Sequence, residues 1–244
     1  MAVSTLAIGM IFVGGTFLTG IYLATVSTEQ TIGTVVADEA LAKIRLYGLE
    51  ASIPRDECTL YTELVGIPTS ELWYPSMDVN DVNAVRDYSW SALCRRLGGG
   101  NQLTQITVFV CRRAGTNARY WARDPNSSSD ELEQVELPQP VRVNVVQESD
   151  DEEDELTIED AVDSDDTDEY TFINDGATIV DAATGEIYRV LERYADPPER
   201  VKLDRPWAGA SLEGSDGGWV WVVPRPVAGG RSPLVAVYQE VVRF

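Results

Sequence analysis

Histidine is absent from this chain of 244 residues, and no lysine or arginine precedes Lys43. Without histidine the chain lacks the commonest general base, the usual zinc ligand and the base of a Ser-His or Cys-His catalytic pair. The sequence also has no Gly-rich phosphate loop, no G-x-S-x-G turn and no CxxC metal knuckle. We therefore expect a protein that is not an enzyme and needs no cofactor.

Cysteine is scarce as well, with only Cys58, Cys94 and Cys111. Three cysteines are too few for a disulfide-stapled scaffold. They allow either one disulfide with a spare thiol or three buried, reduced thiols. If the strands that carry Cys94 and Cys111 form a symmetric hairpin, the two thiols lie at opposite ends of it and cannot bond directly.

Acidic residues, in contrast, are abundant, and the formal net charge is −21. This charge disfavours nucleic acid and anionic membrane surfaces as partners, because both would repel the chain. Fourteen of the acids lie between Glu148 and Glu169, a segment without lysine or arginine. We expect this segment to be a flexible, solvated loop, since it has too few apolar residues to offset chain entropy. A calcium site is the alternative, built from four clustered carboxylates: Asp163, Asp165, Asp166 and Asp168.

The first 28 residues carry no charged side chain. They exceed the roughly 20 apolar residues with which a helix crosses a bilayer. From Glu29 onwards, apolar residues recur at three- and four-residue steps, as on an amphipathic helix. The pattern predicts one helix over residues 2–47, about 68 Å long at 1.5 Å per residue, followed by Gly48 as the capping glycine. Half of such a helix must pack on something other than a bilayer.

A wholly apolar start rich in small residues (TLAIGMIFVGG) that passes into an amphipathic helix (EQTIGTVVADEALAKI) resembles the amino-terminal helix of type IV pilins and type II secretion pseudopilins. The resemblance covers about the first 45 residues. It implies that the apolar half anchors the subunit in the inner membrane and later packs inside a filament. The family's processing signal, a basic leader and then Gly-Phe-Thr-Leu-x-Glu, is missing here, and we expect it to lie just upstream of Met1. The residues expected to pack in assembly are Gly9, Gly14, Gly15, Gly20, Glu29 and Gly33.

The resemblance predicts a minor pseudopilin or minor pilin that assembles with other pilin-like subunits through its helix. Its head would lie in the periplasm or outside the cell and contact other subunits or secreted cargo. The alternative is a single-pass, membrane-anchored β-domain protein that binds a partner at the cell envelope without polymerising.

The remaining chain shows strand patterns separated by turn residues. Two alternating stretches flank GGGNQ and predict a hairpin, each carrying the tripeptide Cys-Arg-Arg. Arg95, Arg96, Arg112 and Arg113 are a candidate patch for an acidic partner, or alternatively charges that protect a sheet edge. Further strands are expected at 118–123 and 138–146, and about six short ones after Tyr170.

These patterns predict an α+β fold, with the long helix packed on an antiparallel sheet. The expected parts are the helix (1–48), a pilin-like β head (49–147), the acidic loop (148–169) and a carboxyl-terminal β-rich unit (170–244).

Overall fold

The structure is a computed structural model of the chain. It describes the backbone of residues 2–49, 53, 57–75, 87–98, 103–115, 117–123, 132–147, 151–159, 168–208 and 218–244, and the side chains of these residues except 2–9 and 11–14.

The long amino-terminal helix is present as predicted. Helix α1 spans Ala2–Tyr47 without a break. It ends at Gly48, which has a φ of 77°, a left-handed conformation that costs glycine little. The Gly48 amide donates to the Ile44 carbonyl at 2.9 Å and closes the last turn.

An antiparallel sheet receives the second half of this helix. It contains β1 (Thr59–Leu60), β2 (Trp73–Tyr74), β3 (Tyr88–Arg96) and β4 (Leu103–Arg112). A short helix, α2 (Tyr61–Leu64), and a 3₁₀ turn (Thr69–Leu72) connect β1 to β2. Strands β3 and β4 form the predicted hairpin, with Cys94 opposite Ile106 and Cys111 opposite Ser89. The two cysteines therefore lie towards opposite ends of the hairpin, as expected.

The hairpin strands β5 (Tyr120–Arg123) and β6 (Leu132–Val135) pair only with each other among the described strands. Six further strands then close a barrel in the order β10-β11-β8-β7-β12-β9. Their bounds are β7 (Val141–Val146), β8 (Glu155–Glu159), β9 (Thr178–Asp181), β10 (Ile187–Arg193), β11 (Arg200–Leu203) and β12 (Gly218–Val222). A 3₁₀ turn (Glu169–Phe172) precedes β9.

The barrel has its own core, which follows from alternation along its strands. In β7, Val141, Val143 and Val145 are buried, while the residues between them are half-buried. Successive side chains of a strand point to opposite faces, so these valines all point inward. They pack with Leu156, Ile179 and other apolar side chains in one cluster.

The last strand, β13 (Leu234–Arg243), leaves the barrel and returns to pair antiparallel with β4. The first sheet therefore has the order β1-β3-β4-β13, with β2 also on β3. Helix α1 covers one face of this sheet, where Ile44 packs in a cluster with Trp90 and Val108. The barrel packs on the other face, where Phe109 and Trp221 share a cluster.

The predicted α+β pilin fold is wrong. Among the described residues more lie in strands than in helices, and six of the strands close a barrel, so the protein is mostly β. The expected strands at 118–123 and 138–146 exist, but neither joins the sheet under the helix. The sheets are also not divided at residue 147, because β7 belongs to the barrel and β13 completes the first sheet.

The acidic segment is likewise not wholly a loop. Residues Glu155–Glu159 form β8, which pairs with β7 and β11. Leu156 and Ile158 point into the barrel core. Two apolar residues at alternate positions are enough to form a strand when both neighbouring strands are present to pair with it. The average composition of the segment, which is strongly acidic, does not reveal this pattern.

Candidate functional site

The amino-terminal half of α1 extends beyond the rest of the protein. All side chains from residue 15 to residue 25 are exposed, and they include large apolar ones. Met10, Phe17, Leu18 and Tyr22 are 68%, 70%, 70% and 63% exposed. We call residues 2–28 the projecting half, and the remainder of the protein beyond α1 the head.

Three threonine hydroxyls in this projecting half are satisfied within the helix. The hydroxyls of Thr19, Thr25 and Thr28 donate to the carbonyls four residues earlier, at 2.9, 2.9 and 2.8 Å. A hydroxyl that is bonded in this way needs no water, so it can enter apolar surroundings at low cost. At these three positions the projecting half is therefore polar in composition but has its hydroxyl donors already bonded.

The projecting half meets the head at Glu29, which is only 8% exposed. One carboxylate oxygen accepts from Arg112 of β4, and the other accepts from Arg231 at 3.2 Å. The carboxylate thus bridges two arginines from separate strands or loops of the head. A buried carboxylate requires such partners, since its charge would otherwise be unpaired. We call Glu29, Arg112 and Arg231 the junction.

Gly33 lies one turn after the junction, and the sheet approaches the helix closely there. A Cβ atom at Gly33 would lie 3.3 Å from the Tyr238 hydroxyl and 3.5 Å from Val235 Cγ1. Thr34 and Tyr238 also share a hydrogen bond of 3.1 Å between their hydroxyls. The absence of a side chain at Gly33 lets β13 pack against the helix.

Two ion-pair groups hold the end of α1. Lys43 is buried and pairs with Glu39 at 3.0 Å, as its i,i+4 spacing predicts, and with Glu71 at 3.1 Å. Arg45 pairs with Glu240 of β13 at 2.6 Å. The second half of the helix is therefore fixed to the head by charge as well as by apolar packing.

Of the predicted assembly glycines, Gly15 and Gly20 have open space around them. A Cβ atom at either would meet nothing within 4 Å. Gly9 and Gly14 fall among the residues whose surroundings the structure does not describe. Glu29 and Gly33, in contrast, contact the head of the same chain rather than open space.

Comparison with known proteins gives no family for this arrangement. No protein-family model, no curated protein and no solved structure matches the chain. Within the helical residues that the structure describes, no stretch is both long enough and apolar enough to cross a membrane. The pilin-like resemblance and the membrane anchor therefore stay predictions.

The predicted arginine patch is not formed as one surface. Arg112 contacts Glu29 on the helix side of the sheet. Arg95 donates to the Thr184 carbonyl on the barrel side. Arg113 donates to the Gly115 carbonyl and lies over the Trp73 ring at 5.6 Å. The hairpin register places Arg95 and Arg96 at one end of β3 and Arg112 at the opposite end, because the two Cys-Arg-Arg tripeptides do not lie opposite each other.

Three of the calcium candidates, Asp163, Asp165 and Asp166, lie outside the described residues. Asp168 is described, and its carboxylate accepts from the Tyr170 hydroxyl at 3.1 Å. Among the residues that the structure describes, no group of three or more His, Cys, Asp or Glu side chains could hold a metal ion.

All three cysteines are buried free thiols, the second of the two arrangements considered from the sequence. Burial raises the pKa of Cys58 and of Cys94 to about 12. The pKa of Cys111 is raised further by complete burial. Thiols that stay protonated are poor nucleophiles, so these cysteines pack as small apolar side chains.

Sequence reasoning missed two residues that position the helix. Arg231 lies about 200 positions from Glu29 in the chain, a separation at which no spacing rule connects residues. Tyr238 lies in the region after Tyr170 where the pattern predicts short strands, but its contact with Gly33 depends on how β13 returns to the first sheet. The one available signal was a lone glutamate at the end of an uncharged stretch, which needs a cation when buried.

Proposed function

We propose that this protein is an envelope subunit that is anchored by the projecting half of α1, assembles with pilin-like subunits through it and displays the head outside the membrane. The observation that carries the proposal is the division of one continuous helix. Its second half is packed and ion-paired on the head, whereas its first half leaves large apolar side chains uncovered.

The uncovered side chains favour transfer out of water. Six of them, Met10, Phe17, Leu18, Ile21, Tyr22 and Leu23, are 52–70% exposed. Full burial of such a side chain contributes about 1.5–3 kcal/mol, so burying what remains exposed contributes on the order of 5–10 kcal/mol. A lipid bilayer or a bundle of copies provides that burial, and the open space around Gly15 and Gly20 permits close approach of a second helix.

The head requires no chemistry in this proposal. It is a closed barrel supported by the sheet that carries the helix, and its role is to contact neighbouring subunits or secreted cargo. A head with a net negative charge does not recruit nucleic acid, since both would carry the same sign of charge.

Anchoring without polymerisation is the second candidate. The observation that favours it is the fold of the head, which is mostly β and differs from the α+β fold expected for a pilin. In that case the same helix anchors a single subunit in the membrane and the barrel binds its partner alone.

Substitutions on the helix test anchoring. Phe17→Lys and Leu23→Lys together place two charges in the projecting half, and we expect the full chain to lose its membrane association in alkaline carbonate extraction. Leu46→Lys is the matched control, because Leu46 is also exposed on α1, at 81%, but lies in the packed half. Extraction of the wild-type chain, or equal behaviour of all variants, contradicts the proposal.

Cysteine cross-linking separates the two candidates. Gly20→Cys places a thiol in open space, while the native thiols are buried. Disulfide-linked dimers of this variant in membranes support assembly through the helix. Membrane retention without dimers favours the anchored, non-polymerising subunit. Asp38→Cys, on the exposed side of the packed half, controls for random collision.

A further inference from the structure

A cleft of about 380 Å³ lies where the barrel, β13 and the helix meet. Gln30 of α1 lines one side, the turn at 174–177 lines another, and Val222 and Leu234 form part of its apolar wall. This volume is at the small end of the range for small-molecule sites. It is separate from the projecting half, and nothing in the proposed function uses it.

Two arginines line this cleft, and their backbones are held in place. Arg189 of β10 donates its amide to the Asp204 carboxylate at 3.1 Å, and its carbonyl accepts from the Asp204 amide at 2.9 Å. Arg225 stands between two buried prolines, which restrict the backbone on both sides of it. We call this space the arginine cleft.

The side chains of Arg189 and Arg225 have no hydrogen-bond or ion-pair partner within the described part of the chain. Most other described lysines and arginines do form ion pairs, as expected in a protein with 40 acidic residues. Gly176, with a φ of 75°, lies beside Arg189, and a Cβ atom there would be 4.0 Å from the guanidinium. The positive φ favours glycine at this position, and the guanidinium lies at ordinary contact distance from it.

Among the described residues that line the arginine cleft, arginines outnumber acids, although the chain as a whole is acidic. Arg193 lines an adjoining space that shares Asn174, Asp175 and Arg225 with the cleft. Its guanidinium is already positioned by Asn174 Oδ1 at 3.3 Å and lies over the Tyr170 ring. Asp175 is the one acid that lines the cleft among the described residues, and it accepts the Arg193 amide at 2.7 Å.

We propose that the arginine cleft binds a short-chain dicarboxylate. The two carboxylates pair with Arg189 and Arg225, since guanidinium groups bind carboxylates through two parallel hydrogen bonds. The short hydrocarbon chain lies on the apolar wall that includes Val222 and Leu234. This wall favours a dicarboxylate over inorganic phosphate, which has no apolar part to bury there.

The test is isothermal titration calorimetry of the full chain with glutarate, at about 0.15 M salt, where the Debye length of roughly 8 Å screens the distant acids. We expect saturable binding of glutarate, weaker binding of phosphate and none of neutral glutaramide. Arg189→Gln and Arg225→Gln should each weaken glutarate binding about tenfold or more. Arg243→Gln is the matched control, because Arg243 is exposed on β13 outside the cleft.

Several results would overturn the proposal. These are the absence of saturable binding by the wild-type chain, phosphate binding as tight as glutarate binding, or equal weakening by Arg243→Gln. A thermal melt of each variant checks that the variant keeps its fold. Arg225→Lys gives a second measurement, since it keeps the charge but loses the paired geometry, and binding between that of wild type and Arg225→Gln is expected.

Discussion

Replacing Glu29 by glutamine tests whether the junction fixes the helix to the head. Glutamine at this position would keep the shape of the side chain and remove its charge, so packing changes little. The side chain of Glu29 is 10% exposed, whereas those of Arg112 and Arg231 are 32% and 59% exposed. Without the ion pairs, the buried Glu29 carboxylate would lose most of the solvation of its charge, whereas the two more exposed guanidinium groups would still be solvated by water.

The expected loss of stability follows from these exposures. The hydrogen bond from Arg112 to the charged Glu29 carboxylate contributes about 1.5–3 kcal/mol, the range for bonds to charged groups. The bond to the more exposed Arg231 contributes about 0.5 kcal/mol because water screens it. Glutamine recovers about 1 kcal/mol by removing the desolvation of the carboxylate. The net loss is about 2 kcal/mol, which lowers the melting temperature of a chain of this size by about 4–8 °C.

The assay is thermal unfolding of the full chain in detergent micelles, followed by circular dichroism. Asp38→Asn is the control, because Asp38 is an exposed acid on the same helix and its replacement changes the net charge equally. A double-mutant cycle with Arg112→Gln should give a coupling energy of about 1–2 kcal/mol. The reasoning fails if Glu29→Gln has the same melting temperature as Asp38→Asn. It also fails if the losses of stability from Glu29→Gln and Arg112→Gln are additive, because the carboxylate then does not hold the helix.

Three further predictions concern packing, thiols and charge. Gly33→Val should destabilise the protein by about 1–3 kcal/mol, because its side chain meets Tyr238, whereas Gly20→Ala should not destabilise it; chemical denaturation measures both. Cys58 and Cys94, each with its pKa raised to about 12, should not react with Ellman's reagent at pH 8 until the chain unfolds, and rapid labelling of the native protein would contradict this. Salt at about 1 M, with a Debye length of roughly 3 Å, should raise the melting temperature, because it screens the repulsion behind a net charge of −21; a lower melting temperature would show that ion pairs dominate.

Local patterns in the sequence were enough for the helix and the first hairpin. The break between uncharged and amphipathic halves at Glu29, the steps through Ala37 and Ile44, and Gly48 at the end depend on neighbours three or four residues away. The hairpin needed only two alternating stretches with a glycine-rich loop between them. Gly33, Ala37, Ala40 and Ile44 are buried, as expected along one face of an amphipathic helix, although the charged Glu29 and Lys43 are buried as well.

Only the tertiary structure decided how the strands are shared between the sheet and the barrel. The pattern of β7 is the same for a sheet strand and for a barrel strand, and β8 is concealed within an acidic segment. Whether a strand closes a barrel depends on partners up to tens of residues away, as β7 and β12 show. The pairing of β13 with β4 likewise joins strands that are far apart in the chain.

The sequence by itself thus determined a helix with one uncharged half and one amphipathic half that needs a partner surface, since periodicity and charge act over short distances. The tertiary structure decided what that partner surface is. It brought Arg231 to Glu29, Tyr238 to Gly33, and Arg189 and Arg225 to one cleft. These groups are far apart in the chain, and only the pairing of distant strands places them together.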